Sequence, residues 1–412
     1  MRSTRLTGSG GREWAAGWRA LFAGFFATGV GWNFANVSAA LFLKPMQAEF
    51  GWTRTQLSFG PLAGVLVALL LPMTGLLLDR FGSRRVALAG LVAIACSYAL
   101  FACTPVNHAL FDAFLICLAL AGAISNSVVM ARGVAPWFSR NLGAAIGIMM
   151  VGTSLFAAVA VPLLSHVIER HGWRSGFWVL AAATLTVGLP PALLWFREPY
   201  QSPPSGNKMQ RQQGSLRAVA ATVPFWQLAI ACAVAALPIG GFISHLIPLL
   251  NDLGLSIRTA AGLGSLFAVS IGIGRITTGI ALDRLYPPLV IAVMLALAAC
   301  GALLLGLIAS PTAARLLFAG PIVLLGLAQG AEGDYIVFFS MRLFGLGHFS
   351  RVVPVLSMVI GLGMALGGLA FAKAFDVFGS YRPAIIGSVA LYALAAVIFG
   401  SISMEPALRR WK

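Results

Sequence analysis

The fold class this sequence predicts is an all-α membrane protein, with twelve transmembrane helices arranged as two pseudo-symmetric six-helix bundles. Three observations predict it. First, 59% of the 412 residues are hydrophobic and only 10% are charged, whereas a soluble domain carries about 25% charged residues. So little charge does not cover a water-facing surface of this size. Second, the apolar residues fall in long continuous runs, and a hydrocarbon core about 30 Å thick takes roughly 20 of them per helix. In lipid every backbone polar group must be satisfied within the protein, and unbroken rather than alternating runs point to helices over barrel strands. Third, "GLLLDR" at 75–80 returns as "GIALDR" at 279–284, 204 residues later. A repeat at that distance is half the chain.

The elements follow in order. Span 1 is expected over 17–43. It follows arginines as a signal peptide would, but it exceeds the 7–15 apolar residues of a signal h-region and many spans follow. It is therefore expected to be an uncleaved helix. Spans 2 to 6 are expected at 55–78, 85–104, 109–136, 142–168 and 175–196. The stretch "REPYQSPPSGNKMQRQQGSLR" (197–217) then supplies the one extended polar, Pro/Gly/Ser-rich segment. Spans 7 to 12 are expected at 225–250, 258–282, 288–309, 313–339, 352–374 and 382–403. The domains are thus an N-terminal bundle (1–196), a cytoplasmic central loop (197–222) and a C-terminal bundle (223–412).

Lys and Arg in the loops set the orientation. With the N-terminus inside, 18 of them fall on the cytoplasmic side and 8 outside. The expected location is the inner (plasma) membrane, multi-pass, with both termini cytoplasmic. The net charge of +16 does not indicate nucleic acid, because the charges are dispersed over short loops. Cys96, Cys103, Cys117, Cys232 and Cys300 lie in or beside apolar runs without metal spacing. They are expected as small hydrophobes. No metal and no cofactor are expected.

Further echoes support a duplication. "PMQAEFGWT" (45–53) and "PLLNDLGLS" (248–256) share a Pro, an acid at +4 and a Gly at +6, and Gly172 matches Gly379 in "ERHGWR" and "DVFGSYR". Parallel repeats are one arrangement that secondary transporters use. Gly75, Asp79, Arg80, Gly82, Arg84 and Arg85 resemble the helix 2–3 signature of the major facilitator superfamily, with Asp283 and Arg284 in a degenerate second copy. "EFGWTRTQLS" (49–58), "WFSRNLGAAIG" (137–147) and "RLFGLGHF" (342–349) are similar to its monocarboxylate and oxalate/formate carrier branch.

The resemblance implies a gate. Asp79 would sit against the positive N-terminal end of span 11, near Ser350–Val353, and the arginines would bind loop acids and lipid phosphates. Together they would latch the inner face in the outward-open state. Plain positive-inside anchoring is the alternative. "RLYPP" replaces "RFGSRR" in the second copy, so a weaker latch is expected there.

Ionisable residues inside a span are costly and are functional candidates by default. Here they are Arg132 (span 4), Arg275 (span 8), and Glu332 and Asp334 (span 10). Arg132, Arg275 and Asp334 each lie eight residues from the charged cytoplasmic end of their span, about 12 Å at 1.5 Å per residue. Arginine presents a planar fork that matches a carboxylate, and a buried carboxyl can load and release a proton. The resemblance places a substrate-binding Arg at position 275 and makes spans 1, 4, 7 and 10 line a cavity. It also brings departures. Ile271 stands where proton-coupled relatives carry an Asp, Asn33 and Asn36 replace a span 1 Lys, and Lys373 lies too near the outer end of span 11. The proton site is therefore expected at Glu332 or Asp334. A static ion pair from Arg132 to either acid is the alternative.

Other polar candidates on lining spans are Trp32, Ser125, Asn126, Ser127, Ser244 and His245. Glycine pairs Gly60/Gly64, Gly143/Gly147 and Gly363/Gly367 suit close helix approach. The function expected is secondary transport of a small organic anion, a monocarboxylate, by alternating access coupled to protons. The partners expected are that anion, protons and the lipid bilayer, with the monomer as the working unit. Export of amphipathic compounds is a second possibility, which two buried arginines disfavour. A membrane sensor or enzyme is a third, and neither an HExxH pair nor a soluble signalling domain supports it.

Overall fold

The computed structural model describes residues 10–52, 59–198, 216–308 and 315–404. Among them there are helices and connecting turns but no strand. Span 1 consists of two helices, Gly10–Val30 and Trp32–Phe50. Spans 2 and 3 form one run, Phe59–Ala102, which turns at Gly82 with φ 77° and ψ 161°. A side chain rarely adopts that φ, so glycine is needed there. Span 4 is also in two pieces, His108–Ile124 and Ser127–Val134. Span 5 is Leu142–His171. Span 6 runs from Trp173 to Ala183, widens into a π-turn at Thr184–Gly188 and ends as Leu189–Trp195.

After the short helix Leu216–Ala220 come span 7 (Val223–Asp252), span 8 (Ile257–Arg284) and span 9 (Pro287–Leu307). Span 10 is in two pieces, Arg315–Gly330 and Glu332–Phe344. Span 11 is Leu346–Phe378 and span 12 is Arg382–Gly400. Among the described residues, ten helical stretches are long and apolar enough to cross a membrane. One of them, Ala63–Ala102, holds both spans 2 and 3. With span 1, split at Gly31, the count of crossings is twelve. Large apolar side chains such as Val159, Leu307, Leu369 and Val397 are exposed on the outer faces, as lipid contact requires.

Two seams join the bundles, and both depend on missing side chains. In spans 5 and 8, a Cβ on Gly143 would lie 2.3 Å from the Gly279 carbonyl oxygen, and one on Gly279 would lie 2.4 Å from that of Gly143. In spans 2 and 11, a Cβ on Gly75 would lie 1.9 Å from the Ser350 oxygen. Only glycine permits such backbone approach. Within the N-terminal bundle, Phe177 stacks between Phe42 and Phe101 at centroid distances of 4.1 and 5.3 Å.

Candidate functional site

The sequence reads spans 1, 4 and 10 as continuous; the structure breaks all three near mid-length. Gly31 interrupts span 1, Ser125–Asn126 span 4, and Gly330–Ala331 span 10. The last two breaks stand at equivalent places in the repeat. They also touch other elements: a Cβ on Gly31 would meet the Ser125 oxygen at 2.9 Å, and one on Gly330 would meet the Arg275 nitrogen at 2.6 Å. Broken spans are a recurrent way of building transporter sites, because freed backbone groups are tolerated where they line a cavity or are buried in protein. Here neighbours satisfy them. The Asn126 side chain accepts from the Val128 amide at 3.2 Å. The Val30 carbonyl accepts from the Thr184 hydroxyl at 2.9 Å, and the Gly31 carbonyl from Tyr98 at 3.1 Å.

The hydrogen bonds that cross between bundles, among the described residues, run from Arg275 to the end of the molecule that carries the 79–85 hairpin. Asp79 accepts from Arg351 Nε at 2.9 Å in a partly buried ion pair. Asp79 therefore reaches the first turns of span 11 within Ser350–Val353, where its partner is the Arg351 side chain. The backbone arrangement occurs in the second copy. Asp283 accepts from the Gly143 and Ala144 amides, both at 2.8 Å, at the N-terminus of span 5. These amides have no partner within the helix, and the positive helix end favours a carboxylate. The weaker second latch expected from "RLYPP" is thus corrected: its carboxylate makes two charge-assisted bonds. Arg342 donates to the Ser139 carbonyl at 2.6 Å, and Arg132 donates to Ser350 Oγ at 3.1 Å.

The hairpin arginines divide. Arg84 donates to the Leu193 carbonyl at 2.8 Å, capping the end of span 6 instead of binding a loop acid. Arg80 lies over the Phe81 ring at 5.2 Å and is exposed, as are Arg85 and Arg284. The loop acid Glu198 accepts from the Ser83 amide at 2.6 Å.

Arg275, half-buried, crosses the span 5–8 seam. Its Nη1 donates to the Met150 carbonyl and the Thr153 hydroxyl, with Ser154 Oγ at 3.5 Å. Glu332 is buried at 9% exposure and accepts from Gln329 Nε2 at 2.7 Å. Arg275 is a cation whose field reaches it. Cys232, Tyr335 and Tyr392, all buried, lie within the reach of its charge. Glu332 therefore faces the interior of the C-terminal bundle, between spans 7, 10 and 12.

Arg132 and Arg275 have different partners across the bundles. Arg132 lies in the fields of Glu198 and Asp79 and belongs to the gate cluster; no ion pair joins it to Glu332. Asn126 caps the second half of span 4 through its side-chain oxygen. His245 is also tied: Nε2–H donates to the Gly368 carbonyl at 3.0 Å, so Nδ1 accepts from Tyr381 at 3.1 Å. It pins span 7 to spans 11 and 12. Asn33 is half-buried beside the span 1 break. The side chains of Asn36 and Asp334 lie outside the described residues.

Two acids make contacts that the sequence reading did not assign. Glu13 accepts from the amides of Ser139, Arg140 and Asn141, from Ser139 Oγ at 2.5 Å and from Asn141 Nδ2 at 3.1 Å. Burial pushes its carboxyl up, and these bonds outweigh that effect, so it sits below its ordinary value. Glu49 accepts from Arg174 at 2.5 Å and from Trp173 Nε1 at 2.7 Å. The Arg174 bond, helped by Trp173 against a smaller effect of burial, holds it below the usual carboxylate value. A chemical cue exists only for Glu13, an acid just ahead of an apolar run.

Comparison with known proteins places this architecture. The family model described as Major Facilitator Superfamily matches residues 21–368. Monocarboxylate transporter 3 of Mus musculus is 29% identical over 183 residues, covering 43% of this chain and only 36% of that protein. A gallate transporter of Pseudomonas putida is 28% identical over 304 residues, covering 64% of this chain and 65% of that one. Among solved structures, the E. coli fucose:proton symporter FucP superposes with a TM-score of 0.72 at 18% identity, covering 93% of this chain and 98% of that one; at that identity the likeness shows the fold alone. The match along most of the chain, on twelve spans joined by the seams just described, shows that the chain belongs to the major facilitator superfamily and is a multi-pass membrane protein.

Proposed function

We propose that the chain is a secondary carrier that moves a small monocarboxylate with a proton across the inner membrane by alternating access. One observation carries this reading: Arg275, a permanent cation within span 8, donates across the seam to the Met150 carbonyl and the Thr153 hydroxyl, and its field reaches the buried Glu332. A carboxylate is a stronger partner for a guanidinium than a carbonyl or a hydroxyl. An anion that binds Arg275 withdraws positive charge from Glu332, which then takes up a proton in its low-dielectric site. Binding of anion and proton would be mutually favourable, as symport requires. Asp334 is the other proton carrier in this proposal. The names of the monocarboxylate and gallate relatives agree with a carboxylate substrate.

The same proposal takes 1–196 and 223–412 as the two moving bodies, 197–222 as their cytoplasmic linker, and the monomer as the unit. The excess of Lys and Arg on the hairpin side supports placing that side and both termini in the cytoplasm. The experiment is counterflow in proteoliposomes with a panel of labelled carboxylates, on the parent and on Arg275→Lys. An ammonium does not reproduce the planar fork. Losing one charge-assisted bond of about 1.5–3 kcal/mol raises KM roughly 10- to 100-fold. Parental KM values in a well-inserted Arg275→Lys protein would overturn the assignment.

A further inference from the structure

The oxygens around Arg275 are arranged with a definite polarity. The Thr153 hydroxyl donates its single proton to the Met150 carbonyl at 2.8 Å. A hydroxyl has one proton and two lone pairs, so Thr153 presents only acceptor character to Arg275 Nη1. Met150 offers the same nitrogen a carbonyl lone pair. These two neutral acceptors belong to span 5, in the opposite bundle from Arg275.

The contact lies on the same two helices as the Gly143–Gly279 approach and the Asp283 clasp. Thr153 stands ten residues along span 5 from Gly143, and Arg275 eight residues before Asp283. At 1.5 Å per residue these are about 15 and 12 Å from the hairpin end, so the tie sits above the clasp on one antiparallel seam. A neutral tie is strong enough to orient a buried guanidinium and weak enough to yield to a carboxylate.

We propose that Thr153 is a positioning residue. It holds Arg275 across the seam in the empty carrier and surrenders it to the substrate carboxylate, so that loading loosens the contact between spans 5 and 8. This rests on the reading of Arg275 as the carboxylate clamp. It adds a residue on span 5 that sets affinity, and a route by which binding is felt at the seam.

The test is Thr153→Val, which keeps the shape and removes the acceptor, with Thr153→Ala as a second variant if packing of the first fails. Spin labels at Arg140→Cys and Leu285→Cys report the seam at the hairpin end. Labelled pyruvate and gallate serve as probes in proteoliposomes. In the empty carrier, Thr153→Val is expected to lengthen the inter-label distance in part of the population. KM for a transported probe is expected to fall about 2- to 10-fold, the range set by one neutral hydrogen bond, with a smaller change in kcat. Thr153→Ser, which restores the acceptor, should restore both. An unshifted distance in the empty carrier overturns the assignment of Thr153, and so does a raised KM that Ser does not rescue. A shifted empty carrier that responds to neither probe overturns the carboxylate role of Arg275 instead.

Discussion

Replacing Asp283 by Asn tests the most sharply defined contact between the bundles. The carboxylate accepts two bonds of 2.8 Å from amides that the helix itself leaves unpaired. The Asn side chain has one acceptor oxygen, so one bond is lost, and its NH2 faces an N–H donor. A hydrogen bond to a charged group contributes about 1.5–3 kcal/mol, and loss of the charge at a helix N-terminus adds about 0.3–1 kcal/mol. Asp283 is only half-buried, so the lower part of this range applies, about 2 kcal/mol, or roughly a 30-fold shift toward the form open at the hairpin end. The assay is the distance between spin labels at positions 140 and 285, both exposed in the parent, after removal of the exposed cysteines Cys96, Cys103, Cys117 and Cys300. Asp283→Asn should populate a longer distance, and more so when combined with Asp79→Asn, which removes the ion pair on the second seam. A distance distribution that neither the single nor the double variant changes would refute the view that these carboxylates hold the bundles together.

Three other outcomes are expected. Gly75→Ala should also favour the open form, because its Cβ would lie 1.9 Å from the Ser350 oxygen and that backbone must move; labelling of a cysteine placed at Ser350 would rise. Glu332→Gln should abolish accumulation driven by an imposed pH step while leaving exchange of one substrate molecule for another, which requires no net proton movement; retained pH-driven uptake would move the proton elsewhere. Glu13→Gln should speed hydrogen exchange at the Ser139, Arg140 and Asn141 amides that it caps. In the parent, the Glu13 carboxyl sits below its ordinary value of 4.5. Its contribution is therefore complete above that pH and is lost only as pH falls through the lower folded value. Protection already lost at neutral pH would contradict this.

What the sequence made legible were features written as long runs or as repeats. The spans, the 204-residue echo and the Asp79 and Asp283 hairpins needed only hydropathy and spacing. That Arg275 and Glu332 lie inside spans as candidates followed from the cost of charge in lipid, whereas the contact of Arg275 with span 5 did not. The breaks did not. A Gly within an apolar run, as at 31 and 330, reads equally as a packing site, and Ser125–Asn126 reads equally as cavity lining. Only the neighbouring chain decides whether the ladder is interrupted there. The partners of Asn126 and His245 were illegible for the same reason, since Val128, Gly368 and Tyr381 are brought to them by local backbone or by tertiary contact. Glu13 bonds a loop more than 120 residues away, a pairing that no local pattern encodes.

The bend in span 1 has a consequence for the temperature dependence of the cycle. The Gly31 carbonyl accepts from Tyr98 and the Val30 carbonyl shares the Thr184 hydroxyl with Leu180, so side chains supplement a ladder that is thinned at Gly31, where the amide still donates to Ala27 and the carbonyl accepts from Phe34. Tilting the segment Trp32–Phe50 would disturb few backbone hydrogen bonds at the pivot, those of Gly31 with Ala27 and Phe34. Parting the seams at the hairpin end requires loss of the Asp79, Asp283, Arg132 and Arg342 bonds together. In the alternating-access cycle proposed above, the two halves would therefore have unequal enthalpic barriers. Cooling is expected to slow the opening at the hairpin end more steeply than closure over a substrate, so that a carrier held in the cold would accumulate in the occluded form.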